Sequence, residues 1–138
     1  MISRRCQSLT DRRGAVITEF AICAPVFFLI VLTMFEFGWL NVVRHTADNA
    51  AYEASRVAMV PGATAAEAIA EAERIMSVIG TRGATVEVNP SVLAPETTQV
   101  TVTVRVPLDR NSMVIPKFGR GKEIESSSTL RTERVETR

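Results

Sequence analysis

Between residues 15 and 35 the chain carries a single ionisable side chain, Glu19, in an otherwise apolar run. As a helix this run rises about 31 Å, against a hydrocarbon core of roughly 30 Å. In lipid every backbone N–H and C=O must be satisfied within the segment, which a helix does and an isolated strand does not. The run therefore predicts one transmembrane helix. Whatever else the chain builds must fold outside the hydrocarbon.

Charge sets the direction of crossing. Before the run stand Arg4, Arg5, Arg12 and Arg13 against Asp11 alone; after it come Arg44 and His45 with Asp48 close by. The positive-inside rule places the N-terminus in the cytoplasm and the C-terminal part outside it. The expected organisation is a basic leader over 1–14, a transmembrane helix over 15–38 and an exported αβ domain over 39–138. The two cysteines are Cys6, in the leader, and Cys23, in the span, so the exported part has no disulfide framework. A removable secretory signal fits poorly, because the apolar run is long and no Ala-x-Ala site follows it closely. Ile22 before Cys23 argues against a lipoprotein site, and Cys23 reads as a small membrane-buried apolar residue. The net charge of +1, with no basic patch among aromatics, gives no case for nucleic acid.

Periodicity extends the first helix past the membrane. Leu40, Val43, Ala47, Ala50, Ala54 and Val57 recur at spacings of three and four, with Asn41, Arg44, Asp48, Asn49, Glu53 and Arg56 off the stripe. One helix of about 46 residues, roughly 70 Å, is expected over 15–60, ending at Pro61-Gly62. Pro25 should bend it locally without breaking it. Trp39 sits where an interfacial aromatic anchor belongs. A second helix should start at Thr64, with Glu67 completing a capping box. It should bury Ala65, Ala68, Ile69, Ala72, Ile75, Met76 and Ile79 and end at Gly80.

The period then changes to two. Val86 and Val88 alternate with Thr85 and Glu87, and Val100, Val102, Val104 and Val106 alternate with Thr101, Thr103 and Arg105. Asn89-Pro90 and Pro95 bound the loop between these strands. Residues 108–122 read as an irregular loop packed through Met113, Val114, Ile115 and Phe118. Residues 124–135 alternate weakly, are polar and suit an exposed or edge strand. The tail 131–138 is charged and should fray. The fold class is thus membrane-anchored α+β. A long N-terminal helix, transmembrane and then amphipathic, is joined by a second helix and a small, mainly antiparallel sheet of about three strands. The amphipathic half of the first helix should cover one face of that sheet.

Little here suggests catalysis. His45 is the single histidine and reads as a polar residue near the membrane surface. There is no G-x-S-x-G, P-loop or H-E-x-x-H pattern, and Ser126, Ser127 and Ser128 read as a polar strand. No enzymatic activity, metal, cofactor or small-molecule substrate is expected. Glu36, between Phe35 and Phe37, either marks the outer membrane–water boundary or pairs with a cation on a neighbouring subunit.

Glu19 lies four residues, about 6 Å, inside the apolar run, where a charge costs a few kcal/mol or more. One reading is snorkelling to the cytoplasmic interface beside Arg12 or Arg13. The other uses the small-residue junction Gly14–Ala15. A cut there frees an α-amino group on Ala15 and makes Glu19 the fifth residue of the mature chain. Pairing the Glu19 of one subunit with the Ala15 amine of another would relieve both charges and act as an assembly signal.

A basic leader, a glycine, four residues, a glutamate, an aromatic and an apolar helix resemble the junction of type IV prepilins. Gly14, then Ala15-Val16-Ile17-Thr18, then Glu19-Phe20 resembles the TadE-like pseudopilins of the tight-adherence (Flp pilus) system. Their pattern commonly has tyrosine where Phe20 stands. Glu36-Phe37-Gly38, the alanine-rich stretch around Ala50-Ala51 and Ala54-Ser55-Arg56, the Pro61-Gly62 stop and a small αβ tail extend the resemblance, closely over the first 62 or so residues and in outline beyond. It implies a single-pass inner-membrane protein with a periplasmic C-terminal domain. An aspartic prepilin peptidase would cut it after Gly14. It would serve as a minor pilin-like subunit in assembling Flp pili, with other pilin or pseudopilin subunits and the assembly platform as partners. Adherence or biofilm formation would be the outcome. The competing reading is an uncleaved, signal-anchored module whose domain binds a cell-envelope ligand.

Overall fold

The computed structural model describes residues 9–94, 97–113 and 121–131, and of residues 9–13 the backbone alone. The expected leader segment 1–8, with Arg4, Arg5 and Cys6, lies outside the described residues. So do Pro95, the loop residues Val114, Ile115 and Phe118, and the tail from 132. In chain order the elements are α1 (Leu9–Ala58), α2 (Ala65–Val78), β1 (Thr85–Asn89), β2 (Gln99–Pro107), α3 (Leu108–Asn111) and β3 (Glu123–Arg131). The chain divides into two units, Met1–Phe35 and Glu36–Arg138.

In the first unit α1 is described from Leu9, upstream of the expected start at residue 15, and runs without a break through Pro25. Its most apolar window has a mean hydropathy of 2.5 and is wholly unburied within the chain. Val16, Ile17, Phe20, Ile22, Phe27, Leu29 and Phe35 are each more than half exposed. A helix this apolar with no covering partner suits lipid rather than water. Thr18 and Thr33 hide their hydroxyls by donating to the carbonyls of Gly14 and Leu29, one turn back.

In the second unit the sheet has the order β1-β2-β3, antiparallel throughout, with Val104 opposite Val86 on one side and Ser126 on the other. The four alternate valines of β2, from Val100 to Val106, are buried. They share one core with Val43, Ala47, Ala50, Ala51, Ala54 and Ala58 of α1 and Ala68, Ala72 and Met76 of α2. The opposite sheet face is polar: Arg105 pairs with Glu87 at 2.7 Å and Glu125 at 3.2 Å, and Thr101 bonds Thr129. The amphipathic half of α1 thus joins the core on the valine face, as its stripe predicts. The stripe is wider than expected, since Ala51, Ser55 and Ala58 are also buried, and Leu40 and Val57 only half so.

The widening has a cause in β3. Its inward positions include Ser126 and Ser128, and these meet polar residues of α1. Ser126 donates to the Asp48 carboxylate, and Ser128 and Ser55 hydroxyls lie 3.0 Å apart. Asp48 and Ser55 are seven residues apart, two helical turns, on one face with Ala51. Small side chains there let helix and strand approach, and each buried hydroxyl finds a partner, as burial demands.

α2 carries the expected capping box, with Thr64 Oγ1 accepting from the Glu67 N–H and Glu67 accepting from the Thr64 N–H. It closes with the Gly80 N–H on the Ser77 carbonyl and the Thr81 N–H on the Met76 carbonyl. This Schellman closure needs a left-handed residue, and Gly80 has φ +69°. Of the predicted core face, Ala68, Ala72 and Met76 are fully buried and the isoleucines half so.

The loop expected over 108–122 differs in two respects. Its first four residues form α3, too short for any periodicity to reveal. Met113, expected to pack, is 68% exposed. Its backbone N–H is held by the Glu36 carboxylate, which fixes the chain there and leaves the side chain outward.

Candidate functional site

Two places carry chemistry. The first is the junction at the start of the apolar helix. Gly14, Ala15, Glu19 and Phe20 all lie on α1 and are exposed. Arg12 and Arg13 belong to the same helix by backbone, their side chains lying outside the described atoms. Ala15 and Glu19 are separated by four residues, so they share one helix face a turn apart. No described residue hydrogen-bonds or ion-pairs with the Glu19 carboxylate. Gly14 sits in ordinary right-handed helix, and a Cβ built on it meets nothing within 4 Å. Its carbonyl accepts from Thr18 Oγ1 at 2.6 Å, besides its place in the helical ladder.

The second place is a node where residues distant in sequence meet. Glu36 is 8% exposed; its Oε1 accepts from the Ser112 hydroxyl and its Oε2 from the Met113 N–H at 3.0 Å. One turn on, the Trp39 indole N–H donates to the Asn111 carbonyl at 2.7 Å, and the ring packs on the core. Trp39 is thus tied to the folded domain as well as standing near the expected interface. The Asn111 side chain accepts from the Arg82 N–H and donates to the carbonyls of Arg82 and Pro107. Gly83, in the same turn, has φ +71°, and a Cβ there would meet Arg110 Nη1 at 3.0 Å. The node uses both oxygens of Glu36 within its own chain and leaves no buried side-chain polar atom unpaired among the described residues. Glu36 reaches Ser112 and Met113, and Trp39 the Asn111 carbonyl, across more than seventy positions, so no local pattern marks them.

His45 is exposed, as is Cys23, a free thiol on the span. Among the described residues no group of three or more His, Cys, Asp and Glu side chains is placed to hold a metal ion.

Fold and junction together define a class: an α+β protein with, among the described residues, one membrane-compatible helix whose apolar run follows a glycine and carries a lone carboxylate near its start. Residues 14–56 match the family model of TadE-like proteins. The match covers about a third of the chain, beginning on Gly14 and ending within the last turn of α1. No curated protein and no solved structure matches the chain.

Proposed function

We propose that this protein is a minor pilin-like subunit for the assembly of Flp-type, type IVb-like pili in tight adherence, and not an enzyme. The similarity of residues 14–56 to TadE-like proteins supports a role with the Tad pilus. The observation that carries the finer reading is that the matched segment starts on Gly14, the residue preceding Ala15-Val16-Ile17-Thr18-Glu19-Phe20. A prepilin peptidase would hydrolyse the bond between Gly14 and Ala15 on the cytoplasmic side of the inner membrane. The mature chain would keep the apolar helix as its anchor and carry the second unit in the periplasm. Its other partners would be pilin or pseudopilin subunits and the assembly platform.

Glu19 supports the assembly role. A carboxylate with no partner among the described residues, on an apolar helix, is expensive in lipid. Hydrolysis creates a cation one turn away on the same face, available to the Glu19 of an incoming subunit. The test separates the two steps. Gly14→Leu should leave the precursor uncut. Glu19→Ala should be cut as the parent is, yet fail to restore pili to a strain lacking the protein. Normal cutting of Gly14→Leu would count against the processing reading, and piliation by Glu19→Ala against the charge-pairing role.

A further inference from the structure

The bond that the proposed function assigns to the peptidase lies inside a helix. α1 continues upstream of it to Leu9, so more than a turn of helix stands on its leader side. In a helix the carbonyl oxygen points along the axis into the next turn. The Gly14 oxygen is engaged there twice, by the helical ladder and by Thr18 Oγ1 at 2.6 Å. A carbonyl oxygen has two lone pairs, so this one has no acceptor capacity left. Peptide hydrolysis needs that capacity. Water adds to the carbonyl carbon, the Gly14 C–Ala15 N bond breaks, and a carboxylate on Gly14 and an amine on Ala15 result. The charge that develops on the oxygen must meet donors of the enzyme.

We infer that α1 must open at Gly14–Ala15 before it can be cut, and that Thr18 is a positioning residue that restrains this opening through its hydroxyl. The inference rests on processing at this bond. Gly14 fits the same account from the other side. Its φ is not positive and its Cβ position is empty, so the folded helix has no need of glycine there. Glycine's effect at such a site is to weaken the helix. Thr33 and Thr46 make the same bond to Leu29 and Val42, at 2.8 and 2.9 Å, so the bond itself is ordinary threonine chemistry. What distinguishes Thr18 is the carbonyl it occupies. The two residues then set a balance in which glycine loosens the cut site and threonine ties it.

The experiment is a pulse-chase of leader loss, read by mass, on the full chain in cells that contain its peptidase. Thr18→Val removes the hydroxyl, keeps the shape and has a similar helix propensity. Leader loss should be about two- to tenfold faster, the range that one net hydrogen bond supports. Thr18→Ser keeps the hydroxyl and should stay within about twofold of the parent. Amide hydrogen exchange at residue 18 in the purified uncut precursor gives a readout without the peptidase. It should be faster in Thr18→Val than in Thr18→Ser. Equal or slower cutting of Thr18→Val, or equal exchange in the two variants, would overturn the inference while leaving processing intact. A parent chain that keeps its leader in the presence of active peptidase would overturn the processing reading, and this inference with it.

Discussion

Asn111 shows how much one side chain can hold. Its amide satisfies the Arg82 N–H and two carbonyls, and its own carbonyl receives the Trp39 indole. Asn111→Ala strands those backbone groups in a site only 7% exposed. Each such group left unpaired costs about 1–3 kcal/mol, so the variant should lose about 3 kcal/mol or more. Trp39 is the single tryptophan of the chain, so its emission reports on the node during denaturant unfolding in detergent micelles. An unchanged midpoint would remove Asn111 from the centre of the account. Glu36→Gln should cost less than Glu36→Ala in the same assay, because the amide oxygen still accepts once. None of this was legible in the sequence, where Glu36 read as a boundary marker or an inter-subunit charge. The junction was legible, because Gly14, Ala15, Glu19 and Phe20 fall within seven consecutive residues. The Thr18 bond to the Gly14 carbonyl was not, since a helical threonine either faces outward or bonds back one turn and the sequence does not distinguish the two.

At the scale of elements, period carried most of the information. The alternating valines of β2 and the Thr64–Glu67 capping box emerged as read, because local pattern and tertiary burial ask for the same residues. Thr64→Ala should cost about 1 kcal/mol, measurable as a lower unfolding midpoint of the domain. α3 escaped notice because four residues hold about one helical turn. The α1–β3 contact escaped because its members are polar. Asp48 lies off the apolar stripe, Ser55 is not one of its members, and Ser126 and Ser128 read as a polar strand. Their spacings, seven on the helix and two on the strand, were the available signal. Ala51→Leu at this contact should overpack the core and cost about 1–3 kcal/mol. A neutral result would mean that α1 and the sheet do not approach there. On the exposed side of α2, the Arg74 guanidinium hydrogen-bonds Glu71 and holds its carboxyl below the usual glutamate range. The pair's contribution is present above that range and is lost as pH falls through the lowered value. Arg74→Ala should raise the Glu71 midpoint in a carboxyl NMR titration.

At the scale of the whole molecule the chain combines two solvents' rules. The first unit exposes its large apolar residues, and the second buries the β2 valines with alanines of α1 and α2 in one core. What joins sequence to function is the point where the helix enters the first regime: a glycine that the fold does not require, a carboxylate without a described partner, and a family match that starts on that glycine. If Gly14–Ala15 is cut, Glu19 stands one turn from a new ammonium and the mature helix begins with matched charges. The measurement that tests this most directly is the intact mass and N-terminal sequence of the protein purified from its own cells. The account predicts an N-terminus at Ala15, with the mass of the fourteen leader residues missing. An intact leader in cells with active prepilin peptidase would contradict it, leaving an anchored envelope-binding module whose Glu19 snorkels to the membrane surface.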